Sequence, residues 1–217
     1  MKTIILSIFL LCVSLFVLAD SPLTSTSFYS AYQDLKQVEY ALENGMDKKV
    51  VKILGSKKTD IVTKIAVINA MSWGDTTSVV KFEKYLLKKR KGLKPETFDY
   101  LREIENGLPE DTDQTLLLTA DDLTCWAYLQ CMGDYFNPSY GMNAANLGFA
   151  RNYKSMAHAL PLALIASQVA FDFDWCSVYE IPYAMLINQE YSENIVTDEA
   201  IDMIMEYINL YQADCEE

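Results

Sequence analysis

The chain has 217 residues, with 30 acidic against 18 basic side chains, one histidine, five cysteines and a net charge of −12. That length fits one domain or two small ones and buries a core without help from cysteines, while the negative charge excludes electrostatically driven binding to nucleic acid. A lone histidine excludes a two-histidine metal site and leaves a serine hydrolase only one imidazole to use.

The first 19 residues read as a secretory signal peptide. Lys2 precedes an apolar run of 15 residues from Ile4 to Leu18, then comes Ala19 with Val17 two positions before it, which places cleavage between Ala19 and Asp20. The run is shorter than the roughly 20 residues of a spanning helix, and Leu11 before Cys12 is not the small residue that a lipid-anchored cysteine needs. No later segment is apolar for long enough to span a bilayer, so the mature chain is expected to be soluble and exported, periplasmic or extracellular.

From there the apolar spacing is helical nearly throughout. Phe28, Tyr32, Leu35, Val38 and Leu42 recur at three and four and predict one helix ending at Gly45. A short helix follows around Val50 to Leu54, then one carrying Ile61, Ile65, Ile68 and Met71 that Gly74 stops. Asp75 or Thr76 caps the next, with Val79, Phe82, Leu86 and the basic tail Lys88 to Lys91, and Gly92 ends it. Pro95 opens a helix with Phe98, Leu101 and Ile104, closed by Gly107. LPEDTDQ, residues 108 to 114, is polar and acidic and reads as a linker.

Thr119 with Asp122 three positions on resembles a capping box for a helix bearing Cys125, Trp126, Leu129 and Met132. Residues 134 to 148 read as a long loop or an irregular helix start. Helix resumes near Phe149, Pro161 should kink or split it, and LALIASQVAF is apolar all round, as in a buried helix. Two last helices, about Trp175 to Gln189 and Asp198 to Gln212, form a hairpin around SENIVT. The fold class is therefore all-α, helical hairpins packed as an irregular bundle or a short α-solenoid. It divides into residues 20 to 107 and 108 to 217, as two halves or one continuous domain.

Charge separates these halves. Residues 20 to 107 hold 15 Lys and Arg against 12 Asp and Glu, whereas residues 108 to 217 hold 2 against 18. Arg151 and Lys154 cannot neutralise so many carboxylates, so the second half projects a negative field over about 8 Å at physiological salt and attracts a cationic partner. The run KKRKGLK at 88 to 94 reads as a solvated helix end complementing the C-terminal dipole, not a nucleic-acid site.

Four cysteines remain after cleavage, and export favours disulfides among them. In an antiparallel hairpin turning near Asn194 and Ile195, Cys176 falls opposite about residue 213, within reach of Cys215. Cys125 and Cys131 are six residues apart on a helix, about 9 Å along its axis, beyond the roughly 7 Å that a bridge tolerates. The expectation is a Cys176–Cys215 disulfide, with Cys125 and Cys131 as buried thiols. No metal and no cofactor is expected, because the chain lacks C-x-x-C, H-E-x-x-H, Walker A and dinucleotide fingerprints.

Few residues suggest catalysis. Asp172 and Asp174 lie among aromatics in FDFDW, where desolvation would raise a carboxyl pKa to suit a general acid, although Asp174 also stands where an N-cap belongs. Any Ser-His-Asp device must use His158. For binding, Tyr135, Phe136 and Tyr140 in DYFNPSYG supply rigid amphipathic surface unless they tuck into the core, and Glu193, Asp198, Glu199 and Asp202 form the clustered charge of the last hairpin. The expected function is partner-protein binding, as in a periplasmic inhibitor or immunity-type protein for a cationic toxin or enzyme. The alternative is a secreted helical hydrolase or sugar-binding enzyme that uses acidic residues.

Overall fold

A computed structural model describes residues 21 to 71, 73 to 103 and 110 to 215. The segment read as a signal peptide lies outside the described residues. The described chain is all-helical, a bundle of ten α-helices joined by short 3-10 and π turns and without strands. Among the described residues no helix is long and apolar enough to cross a membrane.

The expected first helix is two pieces. A 3-10 turn, Phe28–Tyr32, precedes α1, Lys36–Asn44, and Leu35 and Leu42 end up exposed while Val38 and Ala41 are buried. Helices α2, Lys48–Leu54, and α3, Ile61–Ala70, start on Asp47 and Asp60, whose carboxylates accept from Val50 N–H and Thr63 N–H at 2.8 Å. Asp75 caps α4, Thr76–Lys89, by accepting from Thr77 N–H at 3.0 Å. Pro95 leads into α5, Glu96–Arg102.

Leu108 and Pro109 of the expected linker lie outside the described residues, and the rest of it is tied down on both sides. Tyr100 donates its hydroxyl to Glu110 O at 3.0 Å, Gln114 Oε1 accepts Lys94 N–H at 3.0 Å, and Asp111 pairs with Arg151.

The capping box at Thr119 and Asp122 is formed and starts α6, Ala120–Gly133. This helix is packed by α3 and α4 on one side of the sequence boundary and by the next two helices on the other, which is why nearly every residue on it is buried. Cys125 and Cys131 are accordingly fully buried free thiols, and burial pushes both well above the usual thiol range.

The stretch from 134 to 148, expected as a long loop or an irregular helix start, is regular helix from residue 139: α7 runs Ser139–Arg151. Its glycines are contacts, not breaks. A Cβ on Gly141 would stand 2.3 Å from Cys131 Sγ and 2.9 Å from Ala127 O, and one on Gly148 would stand 2.5 Å from Thr124 Oγ1. Spaced seven residues apart, they let α7 lie directly on α6.

Nor does Pro161 split the next helix. The break falls at residues 152 to 155, and α8, Met156–Ala170, continues through Pro161. It begins where it does because Met156 N–H and Ala157 N–H donate to Glu193 O and Asn194 O, at 3.1 and 3.2 Å, so a distant loop supplies the carbonyls that satisfy its first donors. Helix α9, Trp175–Pro182, passes into a π turn, Tyr183–Ile187; α10, Asp198–Ile208, passes into a 3-10 tail, Asn209–Cys215. That tail lies along α9 and brings Cys215 to Cys176 at disulfide distance, with Cα atoms 4.7 Å apart.

Candidate functional site

The acidic residues fall into two populations. Those near the start of α6 are consumed internally by cations from the first half of the chain: Lys64 Nζ lies 2.5 Å from Asp121 and Arg90 2.6 Å from Asp122. The basic run therefore is not wholly a solvated helix end, since Arg90 crosses to Asp122. The carboxylates of the last hairpin have no such partners. On α10 the residues Ala200, Ile201, Ile204 and Ile208 face the core, which leaves Asp198, Glu199 and Asp202 exposed, and Glu193 is exposed in the loop before it. Among the described residues no cation lies within bridging distance of these four.

The second expected surface is an aromatic cluster at the other end of α6. Gly74, at φ +81°, adopts the left-handed conformation that glycine tolerates best, and its N–H donates to Met132 O at 2.8 Å. This docks the preceding Trp73 beside the turn after α6. Trp73 meets Tyr135 edge to face at 5.2 Å, and Tyr135 meets Phe136 at 4.3 Å. Phe136 is 73% exposed and Trp73 42%, so the loop aromatics do not all enter the core; Tyr135 packs against it, and Tyr140 is partly exposed on α7. A cavity of about 210 Å³ beside them is lined by Leu23, Tyr29, Leu42 and Asn69. Trp73 was not among the expected site residues, because its role depends on a backbone bond between residues 58 apart. The Phe28–Tyr32 turn touches both surfaces: Tyr29 lines this cavity, and the Tyr32 hydroxyl accepts Thr197 N–H at 3.0 Å, at the start of α10.

The residues considered for catalysis are placed differently from one another. Asp172 and Asp174 are both exposed, so neither is enclosed by the aromatics beside it in sequence. Asp174 caps α9, accepting from the Ser177 hydroxyl at 2.6 Å and from its N–H, and these bonds hold its carboxyl below the usual range.

His158 is buried in a polar chain that the sequence did not suggest. Its Nδ1 lies 2.7 Å from Ser155 Oγ, and its Nε2 lies 3.2 Å from Asp121 Oδ1 without good hydrogen-bond alignment. Asn194 Nδ2 donates to the same Ser155 oxygen at 3.0 Å, and Lys64 completes the chain through Asp121. The residue types are those of a serine hydrolase, but Ser155 has no exposed surface and its hydroxyl cannot meet a substrate. What the chain does is join α3, α6, α8 and the loop before α10. Cys176, Glu180 and Cys215 also cluster, but the two sulfurs are bound to each other and do not offer thiolates to a metal. Comparison with protein-family models, curated proteins and solved structures finds no match to the chain.

Proposed function

We propose that the protein is an exported binding module that docks a cationic protein on its acidic C-terminal hairpin, acting as a periplasmic inhibitor or immunity-type protein. One observation carries this reading. Lys64, Arg90 and Arg151 are spent on Asp121, Asp122 and Asp111, while Glu193, Asp198, Glu199 and Asp202 stay exposed and without an ion pair among the described residues, even though Lys154, the other cation of this half, accepts Glu193 N–H on its backbone carbonyl. Unpaired surface charge of one sign accelerates encounter with a partner of the other sign. The exposed Trp73 and Phe136 add the aromatic surface that supplies affinity at many interfaces. Export rests on the apolar leader and on a cysteine pair at disulfide distance, which belongs in an oxidising compartment.

Affinity purification from the native source, followed by association kinetics with the captured protein, tests it. Reversing the four carboxylates to lysine should slow association about tenfold at low salt and flatten its salt dependence, while dissociation changes less. Lys88→Glu with Lys89→Glu is the control, Arg90 being reserved because it pairs with Asp122. An equal effect from the control would place the interface on the other half. Recovery of no partner, together with hydrolytic turnover lost in Asp172→Asn, would establish the alternative, a hydrolase or sugar-binding enzyme using acidic residues.

A further inference from the structure

We propose that the basic half carries a separate binding groove, between α2 and α4, for a single-chain anionic amphiphile such as a fatty-acid carboxylate. The groove is open to solvent and offers about 630 Å³, and its floor is apolar, made by Met46, Val51 and the ring of Tyr85. This is the size and lining of a small-ligand site, apolar with a few placed polar groups.

Four ammonium groups form its rim. Lys48 and Lys52 stand one turn apart on α2, and Lys81 and Lys84 three residues apart on the facing stretch of α4. All four are exposed, and none is in an ion pair among the described residues. Lys81 Nζ is held at the groove by donating to Met46 O at 3.0 Å. The one carboxylate in the lining, Asp47, is already engaged: it accepts from Lys49 N–H and Val50 N–H at 2.8 Å and from the Tyr40 hydroxyl at 2.7 Å. Four ammonium groups against that one carboxylate leave the rim net positive over an apolar floor, the complement of a negatively headed alkyl chain. An acidic partner helix about 10 Å across and three turns long fills roughly 1,300 Å³, about twice the groove, so one alkyl chain is the better occupant.

The floor also offers a handle that leaves the charges alone. Tyr85 lies against Gly55 so closely that a Cβ there would stand 2.0 Å from Cε1 of the ring. Gly55→Ala must therefore move the ring.

Calorimetric titration of the full chain with sodium decanoate below its micellar range tests the proposal, with decanol and decyltrimethylammonium as matched neutral and cationic chains. One decanoate is expected to bind per chain, more weakly as salt rises, with little binding of the other two. The variant K48Q/K52Q/K81Q/K84Q, which changes only exposed side chains, should bind about tenfold more weakly, and Gly55→Ala should weaken binding with every lysine in place. The Glu193, Asp198, Glu199 and Asp202 reversals should leave it unchanged, so this site and the acidic hairpin fail separately. Equal binding of decanol, an unaffected lysine variant, or preferential binding of an acidic helical peptide or of phosphatidylglycerol vesicles would overturn it.

Discussion

Lys64 is 2% exposed, and a buried ammonium persists only when its partner compensates for the lost hydration. Asp121 is that partner, at 2.5 Å, so Asp121→Asn leaves a stranded charge and is expected to cost about 3 kcal/mol. Lys64→Met combined with Asp121→Asn removes both charges and should cost less than Asp121→Asn alone. Urea unfolding of the single and double variants decides this, and simple addition of the two single costs would show that the pair is not coupled. The pH dependence has a definite sign. Burial pushes the Asp121 carboxyl up, but His158 and Lys64 together overcome that and hold it below its usual value. Its contribution is therefore full above the unfolded pKa near 3.9 and is lost as pH falls through the lower folded value, so the gap between wild type and Asp121→Asn should close below about pH 4. Of this chain only His158 was legible in the sequence, as the single imidazole; residues 64, 121 and 194 lie too far from it along the chain to share a local pattern. Local signals were legible at the same scale: Asp75, Thr119 and Asp174 cap the helices that follow them, since capping is a matter of three or four adjacent residues.

At the scale of elements, the helices that open on a side-chain cap were readable, whereas the Phe28–Leu42 stripe breaks into two pieces and the stretch where glycine serves packing is helix. The stretch from 134 to 148 contains Asn137, Pro138, Gly141 and Gly148, which spell a loop by local chemistry. Here the tertiary contact prevails, because α6 and α7 approach too closely for any side chain at either glycine. This yields opposite expectations for Gly141→Ala. Helix propensity alone gains about 1 kcal/mol, whereas overpacking costs about 1 to 3 kcal/mol. Cys131 Sγ at 2.3 Å and the rigid Ala127 O at 2.9 Å favour the cost, so thermal unfolding should show net destabilisation. Adding Cys131→Ala should recover only part of it, since the backbone oxygen stays. A Gly141→Ala variant as stable as wild type would mean that the seam has room for a Cβ. The same reasoning covers the misplaced break near Pro161: the partner that starts α8 is a loop almost 40 residues away, and only the fold supplies it.

For the molecule as a whole, the question is whether the basic and acidic halves unfold together. Lys64–Asp121 and Arg90–Asp122 cross between them, and α6 of the second half is packed against α3 and α4 of the first. Separating the halves would expose Trp126, fully buried on α6, and strand buried charges on both sides, so a half-unfolded state is expected to be too costly to populate. The three tryptophans report on this from different places: Trp126 from the centre, Trp73 from the turn before α4, and Trp175 from the start of α9. Fluorescence of variants retaining one tryptophan each should give coincident urea transitions, matched by circular dichroism. The Cys176–Cys215 bond closes a loop with a sequence separation of 39, and such a loop contributes about 4 kcal/mol by limiting the unfolded chain. In a single cooperative unit that loss belongs to the entire transition, so Cys176→Ser with Cys215→Ser should lower Tm by roughly 8 to 16 °C at all three tryptophans. A drop confined to Trp175, with Trp126 and Trp73 unmoved, would show that the C-terminal hairpin unfolds on its own and that the bond stabilises only that hairpin.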